Sequence, residues 1–162
     1  MQLNEIQELQ ALMRRKDWSS VHAFLDAARD RAFSPDDLRS EAYWRISALA
    51  GEQRYEEAIE LLRKSADLFS CQSLVRHNLA RFLSKLGRDR EALDELKDAP
   101  IEEEMEAFHA LAIDAKFFYL YLLAKTGDAS VRSGLSAIPD DYRHITLGGK
   151  FLTKADIVAL LN

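Results

Sequence analysis

Glu106 and His109 stand three residues apart, the spacing by which two side chains on one helix face share a metal in di-iron bundles. Such a centre needs a second pair and further carboxylates. None of His22, His77 and His144 has a glutamate three residues before it. Asp141-Tyr142-Arg143-His144 gathers an acid, a phenol, a cation and an imidazole. It follows Pro139 and precedes an extended segment, so it reads as a polar turn. Gly148-Gly149 lacks the further glycines and the Lys-Ser/Thr pair that cradle a phosphate, and no serine occupies a Gly-x-Ser-x-Gly elbow. Cys71 is the only cysteine, which rules out an internal disulfide. With no nucleophile motif around it, it reads as a small apolar filler. The expectation is a protein that is not an enzyme, with no metal and no cofactor.

Recognition chemistry is better represented. Arg81 and Lys85 lie four apart, so on a helix they share a face and can meet a carboxylate or an acidic segment together. Phe117 to Leu123 is apolar all round a helix, which suits either a central position or an interface. The elements that must carry these residues follow from spacing. Leu3, Ile6, Leu9, Leu12 and Met13 predict a first helix ending at Arg14-Arg15-Lys16. Asp17 caps a second, with Trp18, Val21, Phe24, Leu25 and Ala28 inward. Ser34-Pro35 opens a third, followed by Gly51 in a turn and a fourth helix over 55–69. Residues 73–86 and 89–98 form the next pair, with Gly87 in the left-handed position between them. Ile101 is expected to start one helix running to Lys125, its Glu102-Glu103-Glu104 run a solvated first turn. Val131, Leu135 and Ile138 predict a short partner helix. Ile145 to Leu152 then reads as a hairpin with a two-residue Gly148-Gly149 turn, and Thr153 with Asp156 as the capping box of a last helix.

Composition agrees with a folded, aqueous protein. Of 162 residues, 48% are hydrophobic and 30% charged, with six glycines and three prolines. The net charge of −5 argues against a sequence-independent grip on nucleic acid and mildly favours a basic partner. The N-terminus has no signal-peptide pattern and no apolar run is long enough for a membrane span. The expected location is the cytoplasm, with no membrane and no nucleic acid among the partners.

The chain also repeats itself. Tyr55 to Leu62 stands over Asp89 to Leu96 at an offset of 34 residues, pairing Ala58 with Ala92 and Leu62 with Leu96. The same offset pairs Leu49 with Leu83. Leu79-Ala80, Leu83, Gly87, Ala92, Leu96 and Ala99 resemble a tetratricopeptide repeat (TPR) closely. Leu49, Tyr55, Ala58, Leu62 and Ala66 carry a second match, although Arg45-Ile46 replaces the usual Leu-small pair. Leu12, Trp18, Leu25 and Ala28 make a weaker one. Leu123 and Gly127 begin a fourth, where Arg132 replaces the packing alanine.

This resemblance implies an all-α fold, a right-handed α-solenoid of about four TPR-like helical hairpins over 1–138. A small C-terminal β-hairpin and capping helix over 139–162 pack on the same domain. It further implies a concave face lined by the first helix of each hairpin, which here offers Tyr43, Ser47, His77, Arg81, Phe117 and Tyr121, flanked by Asn78 and Lys85. The lysine–asparagine clamp by which some members hold a C-terminal carboxylate is absent. The function expected is a non-catalytic protein–protein interaction module of the adaptor or small secretion-chaperone type, a monomer or weak homodimer. The alternative is an immunity or inhibitor protein that blocks a toxin with an acidic surface.

Overall fold

The computed structural model describes residues 1–32 and 34–161. Ten α-helices and one two-stranded sheet are found among them, and they fall into two compact units, 1–70 and 71–162.

The first unit holds α1 (Leu3–Arg15), α2 (Trp18–Asp30), α3 (Pro35–Gly51) and α4 (Tyr55–Lys64), closed by a 3-10 turn at Ala66–Leu68. Asp17 caps α2 by accepting from the Ser20 N–H, and Ser34 caps α3 by accepting from Asp37, with Pro35 in the first helical turn. The core is Leu9, Val21, Leu25 and Ala48, with both tryptophan rings, Trp18 and Trp44, packed against it. Glu41 is the one charged side chain among the described residues buried to 1% exposure in this unit. Its carboxylate takes Arg29 at 3.1 Å and Arg45 at 2.5 Å, and Arg45 reaches on to Asp26 at 2.9 Å. A buried charge is tolerated only when paired in this way, and the pairing ties α2 to α3.

The second unit holds α5 (Gln72–Lys85), α6 (Asp89–Lys97), α7 (Ile101–Glu104), α8 (His109–Lys125) and α9 (Val131–Gly134), followed by a 3-10 turn at Leu135–Ala137. After these come β1 (His144–Ile145), β2 (Phe151–Leu152) and α10 (Lys154–Ala159). Its core centres on Ile113, Phe117 and Leu120 of α8, against Val131, Leu135, Ile138 and Ile157. The apolar run of α8 is therefore spent on the interior. The repeat alanines, Ala58 and Ala92, are fully buried in their respective units, as close helix approach requires.

One backbone device recurs at the end of the first helix of each hairpin. The N–H of Asp17, Arg54, Arg88 and Asp128 returns to the carbonyl of Leu12, Leu49, Leu83 and Leu123, five residues earlier. The residue before each donor is left-handed: Lys16, Gln53, Gly87 and Gly127, with φ between 57 and 76°. This is the Schellman closure of a helix C-terminus. It marks four hairpins, although sequence alone shows glycine at only two of the sites. Gly51, expected in the second turn, ends α3 with an ordinary backbone. Its role is space: a Cβ there would lie 2.5 Å from Cη2 of Trp18.

Three sequence expectations need correction. The helix expected from Ile101 to Lys125 is broken over 105–108, because the chain turns to bring Glu104 to the start of α5. There its carboxylate accepts the N–H of Gln72 at 2.7 Å and of Ser73 at 2.8 Å. Glu104 is thus a cap for another helix and not part of a solvated turn. Second, the fourth partner helix is one α-turn followed by the 3-10 turn. Third, the hairpin loop has three residues, Leu147-Gly148-Gly149. Thr146 and Gly149 close it with bonds of 2.8 and 3.0 Å, and Gly149 alone has positive φ, whereas a two-residue type I′ turn needs two such residues. The strands pair antiparallel, His144 with Leu152 and Ile145 with Phe151. The Thr153–Asp156 capping box forms as expected.

Candidate protein-interaction cleft

In the second unit, α5 and α8 run side by side, and the β-hairpin stands over them. The hairpin is tethered by Arg81 of α5, whose Nη2 donates to the Ile145 carbonyl at 3.1 Å and whose Nη1 reaches Asn78 Oδ1 at 3.4 Å. Between helices and hairpin lies an open cleft of about 540 Å³, within the size range of sites that enclose a small ligand or a few peptide residues.

Its floor is aromatic. Phe118 and Tyr121, one turn apart on α8, stack at 5.8 Å, and the Lys125 ammonium sits 5.9 Å from the centre of the Tyr121 ring. The hairpin contributes Phe151, which is 56% exposed on the wall. Its rim is cationic: Arg81, Lys85, Lys125 and Lys150 all line the cleft. Lys125 pairs with Asp89, whose carboxyl burial pushes up but which Lys125 and Ser84 together hold below the usual range. The single carboxylate on the lining, Asp156, is already engaged by the Thr153 N–H and hydroxyl, both at 2.7 Å. Lys85 and Lys150 form no ion pair among the described residues.

Beneath the cleft is a buried polar cluster. The His77 and His144 rings meet edge to face at 5.1 Å, and His144 stacks on Phe117 and on Phe118, each at 5.5 Å. Neither ring nitrogen of His144, nor Nε2 of His77, has a hydrogen-bond partner among the described residues. Burial holds His77 well below the usual imidazole range; the Arg81 guanidinium adds to it and Asp114 opposes it. Asp114 lies 3.8 Å from His144 Nδ1 and accepts the Tyr142 hydroxyl. Burial pushes its carboxyl up, but those two neighbours outweigh it and the group titrates low. Of the stretch read as a polar turn, Asp141 and Arg143 are exposed, whereas His144 is 2% exposed and Tyr142 bonds inward.

The residues expected to face a partner separate accordingly. Arg81, Lys85 and Tyr121 line the cleft, and Asn78 supports Arg81 from one turn below. His77 at 4% exposure and Phe117 at 0% do not reach the surface. Both point from α5 and α8 into the core; for Phe117, the near-uniform apolarity of α8 hides this from the sequence. Tyr43 and Ser47 belong to the first unit. Tyr43 is 44% exposed with its ring edge-on to Trp44, and the Ser47 hydroxyl donates to the Tyr43 carbonyl at 2.8 Å. Sequence reasoning missed Phe118, Lys125, Lys150 and Phe151. Lys125, one turn beyond Tyr121, had a helical signal. The hairpin residues had none, because no local pattern says where a hairpin docks.

Other chemistry does not assemble. Glu106 lies in the turn before α8 and His109 begins that helix, both exposed. No cluster of three or more His, Cys, Asp or Glu among the described residues is placed to hold a metal. Cys71 caps α5, accepting from Leu74 at 3.4 Å and donating to Glu104 at 3.3 Å. Burial pushes its thiol up to about 11 and the Glu104 carboxylate adds to that, so it is a poor nucleophile. No helix among the described residues is long and apolar enough to cross a membrane.

A tetratricopeptide-repeat family model matches residues 49–112. No curated protein and no solved structure matches the chain significantly.

Proposed function

We propose, from a chain whose residues 49–112 are tetratricopeptide-repeat-like, that this protein is a non-catalytic binding module that takes a protein or peptide partner in the cleft between α5, α8 and the hairpin. Tetratricopeptide repeats generally mediate protein–protein interaction. The observation that carries the reading is the pairing of exposed aromatic surface at Phe151 with Lys85 and Lys150, which form no ion pair among the described residues, in one concavity, the composition of recognition sites. The adaptor or chaperone role, in which an extended segment is held, suits an open cleft. Action in the cytoplasm as a monomer accords with a single buried thiol and with an α8 whose large apolar residues are internal.

The inhibitor alternative draws less support. A blocking surface of that kind would use acidic residues such as Glu102 to Glu104, yet Glu102 pairs with Lys116 at 2.7 Å and Glu104 caps α5. Selection of random dodecapeptides displayed on phage tests the binding reading. Sequences should enrich on the wild-type protein and be lost on the double variant Tyr121→Ala/Phe151→Ala. No enrichment, or peptides that bind the variant equally, would overturn it.

A further inference from the structure

The sign of charge in the cleft is opposite to that of the whole molecule. A chain of net charge −5 places Arg81, Lys85, Lys125 and Lys150 around one concavity, and the sole carboxylate there is held in a capping box. We infer that the occupant is an extended acidic peptide segment carrying an aromatic or large aliphatic side chain, and that the β-hairpin is one wall of its site. This rests on the binding reading above and goes beyond it by assigning partner chemistry. It also reverses the basic partner that net charge suggested. Net charge governs long-range approach, whereas specificity is set where side chains meet.

The arrangement supports each half of the assignment. Lys85 and Lys150 both line the cleft, from different elements, α5 and the hairpin. A Cβ at Gly148 would lie 4.0 Å from Lys85 Nζ, so the loop crosses close to that ammonium. Neither ammonium has a carboxylate partner among the described residues, so an incoming carboxylate gains attraction to both. On the same lining, Tyr121 and Phe151 offer apolar area for one inserted side chain, with Phe118 stacked on Tyr121. Phe151 and Ile145 are 56% and 55% exposed, large hydrophobics left in water on a two-stranded sheet. Lys150 and Phe151 lie outside residues 49–112, so the wall is an addition to the repeat. A nucleic acid would satisfy the cations too, but of the chain's 27 acidic side chains all except Asp156 lie off this lining and repel a long polyanion, whereas a short segment meets only the local field.

Fluorescence polarisation with a fluorescein-labelled dodecapeptide of glutamate and aspartate interrupted by one phenylalanine and one leucine tests this. The controls are its full amide analogue, its lysine analogue and a single-stranded thymidine dodecamer. The acidic peptide should bind, the amide analogue at least tenfold more weakly, and the lysine analogue not at all. Charge reversal in Lys85→Glu/Lys150→Glu should cost a further tenfold or more, and Lys85→Gln/Lys150→Gln less, both with an unchanged melting curve. Equal binding of the amide analogue, retention of affinity by the reversed protein, absence of acidic-peptide binding, or tighter binding of the thymidine dodecamer would each overturn the inference. If phage selection yields cleft-dependent peptides that are not acidic, the binding module stands and only the assigned chemistry falls.

Discussion

Gln53 and Gly51 exchange the roles that their residue types suggest. Gln53 holds φ at 63° to close α3, a conformation that costs a side-chain-bearing residue about 1–2 kcal/mol. Gln53→Gly should therefore raise stability by about 0.5–1 kcal/mol, after the glycine's greater freedom in the unfolded chain is subtracted. Gly51→Ala should lower it by about 1–3 kcal/mol through overpacking against Trp18. The shifts of the urea midpoint should have opposite signs, and equal signs would refute the assignment. Gly87 was legible in the sequence because glycine advertises positive φ. Gln53 was not, because a glutamine carries no mark of the backbone it sits on. His77 gives a pH signature. It stays neutral in the fold, while the unfolded chain takes up its proton below about pH 6.5. Stability conferred by the neutral imidazole is present above that pH and is lost as pH falls below it, approaching about 1.4 kcal/mol per pH unit. Between pH 7 and 5, above the carboxylate range, chemical denaturation should show this slope, and His77→Phe should flatten it.

At the scale of elements, the helix boundaries read from periodicity mostly stand, and the largest failure, the break after Glu104, occurs where a side chain bonds to something distant in sequence. Nothing around Ile101 to Lys125 says that Glu104 will serve α5, a partner 32 residues away. Helix-favouring residues alone would have continued the helix. Glu104→Ala should leave the Gln72 and Ser73 N–H groups without their acceptor and cost about 1–3 kcal/mol. Loss of amide-exchange protection at the first turn of α5, in excess of that in the rest of the helix, would identify the mechanism. The Cys71 thiol, otherwise raised to about 11, should also become easier to deprotonate once the carboxylate is gone. The hairpin was legible as a hairpin from Gly148-Gly149 and its flanking apolar residues, but its loop length depends on which glycine takes positive φ. Its docking over α5 was not legible at all.

For the molecule as a whole, the repeat was visible because alanine at 58 and 92 and leucine at 62 and 96 record a packing need that recurs. The cleft was only half visible. Arg81, Lys85 and Tyr121 lie on helices whose outer faces spacing can orient. Lys150 and Phe151 depend on tertiary placement of the C-terminal segment. That segment is integral to the second unit, since Ile157 is fully buried among Ile113, Phe117 and Leu120. Ile157→Ala should cost about 2–5 kcal/mol, and a change below about 1 kcal/mol in urea unfolding would mean that α10 is peripheral. Both indoles of the protein, Trp18 and Trp44, lie in residues 1–70, and the remainder of the chain has none. Emission excited at the red edge of indole absorption thus watches one half of the polypeptide, while far-ultraviolet dichroism watches both. Superimposable traces from the two would mean that the halves melt as one cooperative body, and separated midpoints would date the order in which they come apart.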